Sequence, residues 1–414
     1  MKSDIFSFAA AGLVFLNTVI AAPANTTFNL RPFKINLAKD VPRMLNLVRD
    51  SRLPEKPQYH GVGSNWGIDL DVLKSLRKQW LEKFNWKKEE ESMNSFKHFK
   101  ADIEGLTVHF IHEKSKDPNA IPLILNHGWP GSFLEFAPII KKLTEKAETS
   151  TGKPVSFNVV VPSLPGFAFS ASPPGNWTLD DTARVYNTLM TEVLGYKTFA
   201  AHGTSHGAPL TFTLYDVFNT TTRAAHFVFI PFLPTPAEQI SAMNITLSPL
   251  EQFELDRSTS WGTTGNAYFL EHTTKPNTIG LALYDNPMGQ LAWIGEKYID
   301  WSDPNAGKFP SVLDHNEILR CISLYYLTRS FVSSVYTYAQ DPGAFERVYR
   351  RASTDAPMLV SYFKYMVGFW PKEILHMLGN LTMYRNHEFG GNFAGLDNPA
   401  ALIEDLREIG THWS

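Results

Sequence analysis

The chain has 414 residues, too many for one small domain, with 43% hydrophobic and 19% charged residues, the balance of a globular protein with a large core. Its formal net charge is -3, which argues against a nucleic-acid binder, since those carry a basic excess. The single cysteine, Cys321, excludes an intrachain disulfide. No His or Cys pair has zinc-site spacing beside a matching second pair, so no metal or cofactor is expected.

Lys2 precedes an apolar run over residues 5–16, and small residues follow at Ala21 and Ala22. Residues 1–22 therefore read as a signal peptide. A membrane anchor is the rival reading, but the run is shorter than the ~20 residues that span a bilayer. Asn-x-Ser/Thr triplets at Asn25, Asn176, Asn219, Asn244 and Asn380 add to the expectation of a secreted glycoprotein with no stable anchor after cleavage.

Helices are predicted over 41–49 and 69–84 from their apolar spacing. Segments 99–103 and 106–112 read as a hairpin turning at Glu104-Gly105. Strands follow at 121–126, 157–161, 198–202 and 225–230, alternating with helices at 133–145, 178–194 and 209–218. That alternation implies a parallel sheet covered on both faces. Residues 236–341 break the rhythm with helical patterns and many aromatics; strands return at 357–367 and 381–385, and a helix at 398–409. The expected units are the signal peptide, an N-terminal segment (23–97), a first core half (98–235), a helical lid (236–345) and a second core half (346–414).

Gly203-x-Ser205-x-Gly207 joins a predicted strand to a predicted helix, the setting of a nucleophile elbow. The turn is so tight that residues two positions either side of the nucleophile must lack side chains. Upstream, His127-Gly128-Trp129-Pro130-Gly131-Ser132 also leaves a strand; backbone N–H groups after such a strand and after the nucleophile usually build an oxyanion hole, which makes Trp129 and His206 candidates to line the site.

Those blocks, with Trp66-Gly67-Ile68, Phe84-Asn85-Trp86, Thr274-Lys275-Pro276 and Glu296-Lys297, resemble the microsomal-type and juvenile-hormone epoxide hydrolases over most of the chain. The resemblance implies an α/β-hydrolase core with a mostly parallel sheet, a helical lid and an N-terminal segment wrapping the core. It also implies an aspartate nucleophile, a histidine–acid pair and two lid tyrosines that bond the epoxide oxygen. Carried over by position, the nucleophile is Ser205, the histidine is Asn392 in Gly390-Gly391-Asn392-Phe393-Ala394, the acid is Glu373, and the tyrosines are Tyr268 and Tyr338. A serine opening an epoxide would form an ether, which has no carbonyl for water to attack. Serine suits acyl transfer, but an asparagine amide is no general base.

Three functions stay open: turnover of a small lipophilic epoxide, by hydration or by ring opening and cyclisation, with a departed mechanism; a serine esterase or lactonase using Ser205; and a pocket-bearing binding protein. His387, His206 and His202 are the histidines considered as a displaced base. His202 is expected in the sheet, and His206 in the pocket lining.

Overall fold

A computed structural model describes residues 28–345 and 348–413; the expected signal peptide and Asn25 lie outside them. Apart from a small two-stranded sheet of Ala147–Glu148 and Pro154–Val155, the strands are β1 (Arg31–Phe33), β2 (His98–Ile103), β3 (Leu106–Glu113), β4 (Ile121–Asn126), β5 (Phe157–Pro162), β6 (Phe199–Gly203), β7 (Thr222–Phe227), β8 (Pro357–Tyr365) and β9 (Asn380–Gly391). These nine form one sheet in the order β1-β2-β3-β5-β4-β6-β7-β8-β9. The six strands from β5 to β9 in that order run parallel. The edge from β1 through β3, and its junction with β5, is antiparallel, so the sheet is not parallel throughout.

Local sequence explains much of this. Glu104 and Gly105 both adopt positive φ, at 51° and 80°, the two-residue turn that matches strand twist in a hairpin. Thr178 and Asp181 make a reciprocal capping box at the start of helix Leu179–Thr188, satisfying backbone donors that the first turn leaves free. Helices Ala137–Thr144 and Pro399–Arg407 pack together, as do Leu179–Thr188 and Gly207–Asp216. The chain moves one way along the sheet from β4 to β5 and the other way from β5 to β6, so right-handed crossovers put the two pairs on opposite faces, the cover that parallel strands need.

Only helices lie between β7 and β8 among the described residues, from Ala237–Ala242 to Phe331–Gln340. N-terminal helices Val41–Asp50 and Leu70–Glu82 pack on this layer, and Trp80 Nε1 donates to Ser323 Oγ at 3.1 Å. Helix Lys372–Leu378 was not expected, β7 begins and ends earlier than expected, and β9 runs on to Gly391.

The chain leaves β4 toward β5 on one side and returns to β6 on the other. Neighbouring loops therefore diverge at the carboxyl ends of β4 and β6, where open parallel sheets form ligand crevices. The 127–131 loop and the 203–207 turn meet there.

Candidate active site

Ser205 sits at φ 49°, a left-handed conformation that non-glycine residues adopt at a cost. The two glycines make the turn possible. A Cβ on Gly203 would fall 2.3 Å from Gly207 O, and one on Gly207 would fall 2.0 Å from Asn126 O. Gly128 is the third tight point, since a Cβ there would lie 2.4 Å from His206 N and 2.7 Å from Ser205 Oγ. The strand, the helix and the upstream loop are in contact, as the glycine spacing requires.

The 128–131 loop is held from three sides. His127 Nε2 accepts from Leu164 N at 3.1 Å, so its Nδ1–H donates to Gly128 O at 3.1 Å. Tyr298 donates to Pro130 O at 3.2 Å and Tyr325 to Gly131 O at 2.8 Å. Ser205 Oγ donates to Trp129 O at 3.0 Å. No imidazole hydrogen-bonds the Ser205 hydroxyl among the described residues. The acceptor is a backbone carbonyl, which cannot take a proton at neutral pH.

Asn392 is buried, with its backbone N–H bonded to Trp301 O at 2.8 Å. Its carbonyl accepts from Thr204 Oγ1 at 3.4 Å, which ties the end of β9 to the elbow. Glu373 is not brought in: it is exposed in the first turn of helix Lys372–Leu378, and no hydrogen bond joins it to Ser205 or Asn392 among the described residues.

The two tyrosines are brought together. Tyr268 and Tyr338 are buried, with ring centroids 6.0 Å apart. Tyr268 stacks on Trp129 at 5.0 Å, and Tyr338 meets Trp129 edge-on at 6.0 Å. Burial pushes both phenols up from their ordinary values. Lys297 Nζ lies 5.3 Å from the Tyr268 ring centre and pairs with Glu296 at 2.8 Å. His206 packs against Tyr338, with centroids 4.1 Å apart, and burial takes its imidazole down to about 3. It is a neutral wall of the site.

The other candidate histidines are engaged elsewhere. His387 Nε2 contacts Asp405 Oδ2 at 2.6 Å, so it is the partner of that acid and not of Ser205. His202 is buried in the sheet with Nδ1 2.9 Å from His226 Nδ1; its Nε2 has no partner, so it is only half satisfied.

Two residues of the site were not expected. His272, one helical turn after Tyr268, is fully buried with its ring 4.6 Å from that of Trp129. The i, i+4 spacing to Tyr268 was the available signal. Glu135 is buried close to Gly131, and burial alone raises its carboxyl to about 8. A charged residue inside the apolar run 133–136 was its signal.

An elbow on a mostly parallel sheet, roofed by helices, defines an α/β-hydrolase. The α/β hydrolase fold pattern matches residues 121–270, and the epoxide hydrolase N-terminus pattern matches residues 30–136. The chain is similar to the Aspergillus niger epoxide hydrolase structure, with 33% identity and a TM-score of 0.79 over 94% of this chain and 98% of that one. It is similar to the juvenile hormone epoxide hydrolase of Bombyx mori, with 26% identity and a TM-score of 0.81 over 92% and 94% of the two chains. Juvenile hormone epoxide hydrolase 1 of Ctenocephalides felis is 29% identical over 93% of this chain and 86% of its own length. The chain belongs to the epoxide hydrolase family.

Proposed function

We propose that the chain opens the ring of a small lipophilic epoxide without forming an ester to the protein. One observation carries this reading: Tyr268 and Tyr338 pack together on Trp129, whose carbonyl accepts the Ser205 hydrogen bond where a general base would have to stand. Raised phenols stay protonated and can donate to an epoxide oxygen. Water, or a hydroxyl of the substrate itself, forms the new C–O bond as the ring C–O bond breaks. A phenol gives its proton to the departing oxygen, and the proton lost by the attacking hydroxyl restores that phenol. Ser205 stays outside the covalent chemistry, because an ether at Oγ would be a dead end.

The aromatic lining suits a lipophilic substrate. Passage through a secretory pathway belongs to the same proposal. Asn176, Asn244 and Asn380 are exposed and Asn219 half-buried, but the Asn219 amide donates to Asp216 O and Ser353 O, and the Asn380 amide to Asp355 O. The first two are thus the readier glycan acceptors.

The test is incubation with racemic styrene oxide and 4-nitrophenyl acetate, with mass spectrometry of the protein and the small molecules. Diol should form from the epoxide with no adduct on the chain. The double variant Tyr268→Phe, Tyr338→Phe should lose about 10²-fold or more in rate, and Ser205→Ala should keep turnover. Ester cleavage with acylated Ser205 would favour an esterase or lactonase, and inertness toward both would favour a binding protein.

A further inference from the structure

His272 packs beside the two tyrosines and carries a buried ring nitrogen without a hydrogen-bond partner. Its Nε2 receives the indole N–H of Trp293 at 3.1 Å. An indole nitrogen can only donate, so Nε2 is the bare nitrogen and the ring proton sits on Nδ1. Nδ1 is buried and has no hydrogen-bond partner. The other rings around it are Trp129 at 4.6 Å, Tyr338 at 5.1 Å and Tyr268 at 5.6 Å. Burial takes the imidazole down to about 3, so it stays neutral at ordinary pH. The Trp129 Nε1–H is a second buried donor without a partner. A buried N–H left unpaired is unfavourable, and an oxygen acceptor entering the site would relieve it.

We propose that the Nδ1–H of His272 is a further substrate-binding donor, which reaches an oxygen of the ligand beside the two phenols and selects ligands carrying such an acceptor. Trp293 is then a positioning residue, which sets the tautomer by occupying Nε2. The proposal rests on the epoxide reading above. It adds that the lid helix Ala267–Thr274 supplies two donors one turn apart, Tyr268 and His272, and not one.

The test compares styrene oxide with cyclopropylbenzene, which has nearly the same shape and no oxygen, by quenching of intrinsic tryptophan fluorescence. His272→Phe should weaken styrene oxide binding about five- to ten-fold and leave cyclopropylbenzene unchanged. His272→Asn, whose amide N–H takes the place of Nδ1–H, should restore most of the loss. His272→Gln, whose amide falls at the Nε2 position, should not. Equal weakening of both ligands, or no weakening of either, would reduce His272 to packing and overturn the proposal. If wild-type protein itself shows no preference for styrene oxide over cyclopropylbenzene, the epoxide reading falls and the donor assignment falls with it.

Discussion

The histidines within the sheet and those around the elbow are treated differently. On the face covered by helix Pro399–Arg407, they are joined to an acid. Ser361 Oγ donates to Asp405 at 2.6 Å and lies 3.0 Å from His226 Nε2. The serine proton is therefore committed, His226 Nε2–H donates to Ser361, and His226 Nδ1 accepts from His202 Nδ1–H. Asp405 also takes His387 and Arg385, at 2.6 and 2.7 Å. At the site, His206 and His272 are enclosed by rings, and no carboxylate bonds to either among the described residues. A histidine works as a base when an acid orients it and stabilises its charged form. This chain keeps that pairing under the sheet, where it holds strands to a helix, and among the described residues has none beside Ser205.

The largest expected effect tests how firmly the elbow backbone is fixed. Gly207→Ala should destabilise the protein by about 3 kcal/mol or more, because the new methyl would meet Asn126 O; urea unfolding measures this. A variant as stable as wild type would mean that helix Gly207–Asp216 can slide off β4, so the geometry argument would fail.

Next comes the acid beneath the sheet. Asp405→Asn should cost about 2–3 kcal/mol, less than a fully buried pair, because Arg385 keeps 34% exposure. Burial alone would raise the Asp405 carboxyl, but bonds led by that from His387 outweigh this and hold it at about 2, below an unfolded value near ~3.9. Its stabilisation is complete above about pH 4 and disappears as pH falls toward 2. Unfolding midpoints measured through that window should decline less steeply in the variant. An unchanged slope would remove Asp405 as the group responsible.

The smallest effect sharpens the other side. Glu373→Gln, at an exposed position, should stay within about 0.5 kcal/mol of wild type and leave turnover of styrene oxide unaltered. A large loss of rate would show that Glu373 swings inward to act on substrate.

The sequence made the elbow readable because its requirement is local: glycines at fixed offsets between a strand pattern and a helix pattern. The hairpin at Glu104-Gly105 and the capping box at Thr178 were readable for the same reason. The site's other half was not. The choice of Asp405 as partner for His387 depends on a helix docking beneath β9, 18 residues away in sequence. The donor state of His272 depends on Trp293, 21 residues away on another helix. The family position of Glu373 gave a role, but whether that side chain turns inward is decided by tertiary packing. Strand β1 has three residues, too few for any periodicity to register.

The contact at Gly128 bears on how such proteins diverge. The backbone around position 205 is set by three glycines and by a fixed twist of the chain, none of which consults the chemical group at the tip. A reactive group can be exchanged there while the scaffold keeps its shape. The shape of this turn is therefore silent about the atoms it presents, and the reaction has to be read from the side chain at 205 itself and not from the scaffold that carries it.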